Sequence, residues 1–243
     1  MSQRSLLGVV FLAVLVVGAA LWLSPKGALQ SGGPAVVAVA PAMKDPLGDE
    51  MDRHDPGQVH FSMGRYPEAI AYWTQAAAKG DIAAAHRLGV EYTDGKPGVV
   101  QRDYVKSMAY HRQAAAGGNA PSMFDIGSMY EFGNGVTADI ALAAKWYGYS
   151  ALYGLAQGQY NYATMLETGE GVAKDEIEAY KFYILAARGG FTGIPYDNQK
   201  LRIDHDAPLP TQLMERRLSR EQIADGRERA EKFKVTTGLL KVD

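Results

Sequence analysis

The chain has 243 residues, a formal charge of −2 and no cysteine. The missing cysteines exclude disulfides, thiolate metal sites and a cysteine nucleophile. The near-neutral charge argues against a nucleic-acid binder, which carries a basic face.

Leu6 to Leu23 form an eighteen-residue apolar run without a charge, after Arg4. A helix of that length spans about 27 Å, close to the hydrocarbon thickness of a bilayer. The run is longer than the apolar region usual in a cleaved signal, and Trp22 near its end suits a membrane interface. Residues 1–24 are therefore expected to form an N-terminal membrane helix with the body exported. A signal cleaved near Gly18-Ala19-Ala20 is the alternative. Residues 25–55 are rich in Gly, Pro, Ser and small residues without periodicity, and are expected to be a flexible linker.

From residue 56 to 190 the chain repeats itself. Gly118, Gly154 and Gly190 lie thirty-six residues apart, as do Asp103, Asp139 and Asp175. A period in this range marks stacked supersecondary units. The second half of each unit carries one helical face: Ala69, Tyr72, Trp73, Ala76 and Ala77. That face returns as Ser107, Tyr110, His111, Ala114 and Ala115, as Ala143, Trp146, Tyr147, Ser150 and Ala151, and as Ala179, Phe182, Tyr183, Ala186 and Ala187. The first half has its own stripe: Ala84, Leu88, Gly89 and Tyr92, then Ser122, Ile126, Gly127 and Tyr130, then Gly158, Tyr162, Ala163 and Leu166. Glycine inside a helix costs about 1 kcal/mol against alanine. Its return at 89 and 127 implies a contact too tight for a larger side chain.

A glycine turn joins the halves, Gly133-Asn134-Gly135-Val136 and Gly169-Glu170-Gly171-Val172, lengthened in the first unit to Asp94-Gly95-Lys96-Pro97-Gly98. Asp103, Asp139 and Asp175 are placed to cap the second helix, and Asp175 with Glu178 has capping-box spacing. Gly118, Gly154 and Gly190 are placed as left-handed residues after it. The pattern predicts three complete units, 81–118, 119–154 and 155–190, after an opening hairpin of Gln58 to Met63 and Tyr66 to Lys79. None could bury its apolar face alone; stacking does so.

Residues 191–243 are expected to be loop, with room for one short helix between Phe191 and Pro210, followed by a closing helix. Ser219-Arg220-Glu221-Gln222 is a capping box that opens a helix to about Lys234, with Ile223, Ala230 and Phe233 inward. Asp225/Arg229 and Glu228/Lys232 are spaced for ion pairs on its solvated face. Such a helix would seal the last apolar face of the array.

The succession A-x-x-x-L-G-x-x-Y, G-x-G-V-x-x-D and A-x-x-W-Y-x-x-A-A-x-x-G resembles the Sel-one-like repeat, a relative of the tetratricopeptide repeat. The resemblance covers about 56–190. It implies an all-α fold, a right-handed α/α superhelical solenoid of antiparallel helix pairs, here with an N-terminal membrane helix. It also implies an adaptor of the bacterial envelope type. That is an inner-membrane, periplasm-facing scaffold that binds a protein or peptide in its concave groove. The chain departs from the cysteine-rich branch of the family, so β-lactam binding does not transfer.

In this family type the first helices line the groove. Its wall is assigned to Arg87, Asp125 and Asn161, to Val90, Ser128 and Thr164, and to Glu91, Met129 and Met165, the positions that vary inside a constant frame. No catalytic residue, metal or cofactor is assigned, and neither nucleotide nor nucleic acid is an expected partner. Gly133, Gly135 and Ala138 spell a dinucleotide fingerprint, but a helix precedes them where the fingerprint needs a strand. His111 stands where the other units carry Trp73, Tyr147 and Tyr183. His86 stands where they carry Phe124 and Tyr160. Both are read as packing residues. Asp204-His205-Asp206 is read as loop, since three adjacent side chains rarely converge on one ion. A cell-wall or β-lactam-acting enzyme on the same scaffold is the alternative function, for which no nucleophile or acid pair stands out.

Overall fold

The computed structural model describes residues 55–191, 196–197, 202–203 and 209–240. The expected membrane helix and almost all of the expected linker lie outside the described residues, as does Asp204-His205-Asp206. No helix among the described residues is long and apolar enough to cross a membrane.

The described chain is a succession of antiparallel helix pairs: α1 Pro56–Ser62 with α2 Tyr66–Ala78, α3 Ile82–Asp94 with α4 Tyr104–Ala116, α5 Ala120–Phe132 with α6 Ile140–Leu152, and α7 Ala156–Thr168 with α8 Glu176–Arg188. A two-residue antiparallel ladder follows, β1 Tyr196–Asp197 against β2 Arg202–Ile203, then α9 Pro210–Glu215 and α10 Arg220–Lys232. Helices α2 to α8 each hold 13 residues. Helix pairs α3/α4, α5/α6 and α7/α8 lie within 81–118, 119–154 and 155–190.

The repeated residues do the same work in each unit. Asp103, Asp139 and Asp175 accept hydrogen bonds from the backbone of the first turn they open, leaving fewer helix-end N–H groups unpaired. Their own N–H groups donate to the carbonyls of Tyr92, Tyr130 and Leu166, each at 2.9 Å, which clamps both ends of the glycine turn. Asp175 does not form a reciprocal box, because the Glu178 carboxylate turns to Lys181 and Arg229. Gly118, Gly154 and Gly190 have φ of +90°, +88° and +84°, the left-handed conformation that only glycine adopts freely.

The core runs between the helices as consecutive clusters. Trp73 and Leu88 centre the first. Met123, Ile126 and Trp146 form another, Ala143, Ala144 and Tyr147 a third. Tyr180, Phe182, Met214 and Leu218 form the last. That last cluster is sealed by α10, whose Ser219–Gln222 capping box is present in both directions: Gln222 N–H donates to Ser219 Oγ at 3.2 Å and Ser219 N–H to Gln222 Oε1 at 2.8 Å. Ala230 is buried, Ile223 and Phe233 pack on the cluster, and Asp225/Arg229 and Glu228/Lys232 pair on the outer side.

Three features depart from the expected pattern. The opening helix begins at Pro56, two residues early, because proline is favoured in the first turn. Pro210 opens α9 for the same reason, so the short helix begins where the expected loop ends; α9 buries Met214. The tail after α10 turns back along the repeats. Thr236 N–H donates to Leu152 O at 2.8 Å and Leu240 N–H to Ala116 O at 3.1 Å, so two helix C-termini one repeat apart gain partners from one strand of chain.

Candidate functional site: the polar row on the first helices

Each second helix sets one ring against the first helix of its own pair. A Cβ on Gly89 would stand 2.6 Å from the His111 imidazole, and one on Gly127 would stand 2.8 Å from the Tyr147 ring. This is the close approach that the recurrent glycines imply. A second ring packs beside it from the first helix: Phe124 on Tyr147 with centroids 5.1 Å apart, Tyr160 on Tyr183 at 5.4 Å, and His86 on His111 at 5.8 Å.

The polar ends of these rings meet side chains of the first helices, where the groove residues are assigned. The Tyr147 hydroxyl donates to Glu131 Oε2 at 2.6 Å, with Ser128 and Asn161 beside it. The Tyr183 hydroxyl donates to Glu167 Oε2 at 2.7 Å and lies 3.1 Å from Thr164 Oγ1. Burial, and then the adjacent carboxylate, raises both phenols above their ordinary range. Arg217, from the turn after α9, pairs with Glu167 at the far end of the row.

In the first complete unit the same place holds a different chemistry. His86 Nδ1 lies 3.0 Å and His111 Nδ1 3.3 Å from Ser122 Oγ. Both nitrogens also face Asp125 Oδ2, at 3.8 Å and 3.5 Å. Burial lowers His86 and brings His111 down to about 4, so both imidazoles are neutral at pH 7. Burial, then Asp94, pushes the Asp125 carboxyl up to about 7. The residue types are those of a hydrolase triad, but the arrangement is not. In a triad the serine and the carboxylate engage opposite nitrogens of one imidazole. Here both face Nδ1, and Ser122 is 0% exposed, out of reach of a substrate. The donors His86, His111 and Asp125 lie within 4.8 Å of one another and are the residues here that could hold a metal ion.

The structure divides the assigned groove residues. Arg87 and Thr164 are exposed, while Val90, Glu91, Asp125, Ser128 and Asn161 are half-buried on the same helices. Burial raises the Glu91 carboxyl above its usual range. Met129 and Met165 do not belong to the wall. They are 2% and 6% exposed and insert towards the preceding pair, Met129 among Met108, Ala115 and Trp146, Met165 among Ala143, Ala144 and Tyr147. Variation there reflects core filling by a flexible side chain. Glu131 and Glu167, four residues after Gly127 and Ala163, join the row without having been assigned from the sequence, and His86 and His111, which pack as rings, also carry polar contacts. The common register of the two glutamates was the available signal.

Comparison with known proteins agrees with the geometry. The Sel1 repeat family model matches residues 64–81, 82–119, 120–152 and 156–191. The chain is 32% identical over 83 residues to the ERAD-associated E3 ubiquitin-protein ligase component HRD3A of Arabidopsis thaliana, covering 34% of this chain and 12% of that protein. It is 36% identical over 88 residues to human protein sel-1 homolog 2, covering 35% of this chain and again 12% of the relative. Among solved structures, a protective antigen present in uropathogenic Escherichia coli strains aligns with a TM-score of 0.49 and 31% identity over 52% of this chain and 27% of that one. The match thus spans about an eighth of the length of these curated relatives. The four repeat segments take in just over half of the chain, and it belongs to the Sel1 repeat family.

Proposed function

We propose that this chain is a membrane-anchored scaffold whose repeats face the periplasm and hold a protein or peptide along the first helices, on the concave side of a right-handed superhelix. The observation that carries this reading is the polar row. Its packing frame is constant from unit to unit, while the side chains at its surface change from Arg87 and Asp125 to Ser128 and Asn161 to Thr164 and Glu167. A surface of fixed spacing and changing chemistry suits recognition of one extended partner by several small contacts. One relative is named as a component of a ubiquitin-protein ligase, a part in an assembly with other proteins, which supports the same kind of role. Leu6 to Leu23 would tether the array.

The test places a photo-crosslinking residue at Arg87 in cells and compares the wild type with the variant Asp125→Ala/Asn161→Ala. A single discrete adduct that falls at least about 10-fold in the variant, with helicity and melting temperature retained, is the expected result. An adduct that is equally strong in the folded variant contradicts the groove assignment. Carbonate-resistant membrane fractionation, lost when residues 1–24 are removed, tests the anchor.

A further inference from the structure

We propose that His86, His111 and Asp125 bind a divalent transition-metal ion, zinc by preference, with water completing its coordination and Ser122 as an outer partner. The inference does not depend on the adaptor reading.

Packing alone does not call for this cluster. The equivalent ring pairs are Phe124 on Tyr147 and Tyr160 on Tyr183, which fill the same space with carbon and send each tyrosine hydroxyl to a glutamate. His111 is 0% exposed, and its Nε2 makes no hydrogen bond of good geometry, its nearest backbone partner being Gly89. A buried polar atom left in that state costs about 1–3 kcal/mol, which a phenyl ring would not. Ser122 and Asp125 sit where the other units carry Ala84 or Gly158 and Arg87 or Asn161. Three residues able to ligate a metal, His86, His111 and Asp125, therefore converge at one junction of two units, and no other such group occurs among the described residues.

The geometry fits a small cation. Donors around tetrahedral zinc at about 2.0–2.1 Å from the metal stand about 3.3 Å apart. His111 Nδ1 is 3.5 Å from Asp125 Oδ2 and His86 Nδ1 is 3.8 Å from it, and all three donor atoms lie within 4.8 Å of one another, so closing the set on an ion calls for contractions of at most about 1.5 Å. The two side chains that must move are the accessible ones. Asp125 and His86 are 33% and 24% exposed, while His111 is fixed at 1%. The cation enters from their side. The charge also fits. The Asp125 carboxyl faces these two neutral imidazoles, and no ion pair joins it to a lysine or arginine among the described residues, so a cation would supply the missing positive charge. Coordination through Nδ1 would leave the His111 proton on Nε2 beside Gly89, a defined tautomer in place of an undecided one. Two imidazoles and one carboxylate suit zinc and its transition-metal neighbours and do not suit magnesium or calcium, which take oxygen donors.

The experiment uses the full chain stripped with a chelator. Calorimetric titration with zinc chloride should show one equivalent, cobalt(II) should give visible ligand-field bands, and zinc should raise the melting temperature. His86→Gln and Asp125→Asn, whose folds are checked by melting in chelator, should each weaken binding at least about 100-fold and abolish the cobalt bands, beyond the ~10–100-fold typical of an outer-shell change. Nitrogen chemical shifts of the histidine rings in the wild type give a readout independent of any variant, with zinc moving Nδ1 of His86 and His111. Failure to bind one equivalent, unchanged affinity in the folded variants, or ring shifts confined to other histidines would overturn the site.

Discussion

Trp146→Ala is the sharpest probe of how the units are joined. Trp146 is 7% exposed and lies in one cluster with Met108 and Ala115 of the preceding pair and with Met123, Ile126 and Met129 of its own. A tryptophan buries roughly 200 Å². At about 25 cal/mol per Å² its removal from water contributes about 5 kcal/mol, of which the retained Cβ keeps somewhat under 1 kcal/mol. The expected loss is therefore about 4 kcal/mol, inside the ~3–5 kcal/mol range for truncating a buried tryptophan. Because the ring touches two pairs, the cavity would weaken a junction as well as one hairpin, and the unfolding transition should broaden as the units uncouple. Urea unfolding followed by circular dichroism measures both effects. Val105→Ala, at a residue 73% exposed, is the control and should change stability by less than about 0.5 kcal/mol. A loss below about 1 kcal/mol for Trp146→Ala, with an unbroadened transition, would refute the stacking register.

Gly127→Val should destabilise the chain by about 1–3 kcal/mol even though valine is the better helix former, because the new side chain meets the Tyr147 ring, which is pinned by Glu131 and Phe124. Valine is the decisive substitution, since Ala163 shows that an alanine can be fitted at the equivalent place; a stabilised variant in thermal melts would contradict the reading. Hydrogen bonds from Tyr180 and Arg227 hold Glu215 below its ordinary 4.5. A depressed carboxyl stabilises the fold above its unfolded value and loses that contribution as pH falls through the folded one. The stability gap between wild type and Glu215→Gln should therefore be fully present at neutral pH and shrink as pH falls below 4.5, and a gap that widens on acidification in urea titrations would refute the assignment.

The repeat frame was legible because its causes are local. Asp139 caps, Gly154 turns left-handed and Trp146 falls on the buried stripe for reasons of helix geometry that a period exposes. What escaped the reading depends on contacts between units. Met129 shares a helix with Ser128, yet it lies in the core while Ser128 reaches the surface, and helical position alone does not say which side the preceding pair will cover. His86 and His111 looked like ring substitutes, which they are; that Ser122 and Asp125 arrive from the next unit to face the same nitrogens is a fact of stacking. The returning tail was illegible for a related reason. Its hold on Leu152 and Ala116 runs through backbone groups, which leave no residue pattern.

The central claim is that rings of the second helices dock on the glycines of the first helices, unit after unit. Nuclear Overhauser effects in the folded chain test it directly. Cross-peaks from the Gly57 α-protons to the Trp73 ring, from Gly89 to the His111 ring and from Gly127 to the Tyr147 ring are the predicted result. Absence of these cross-peaks, with the same rings broadened by a soluble paramagnetic probe, would contradict the account.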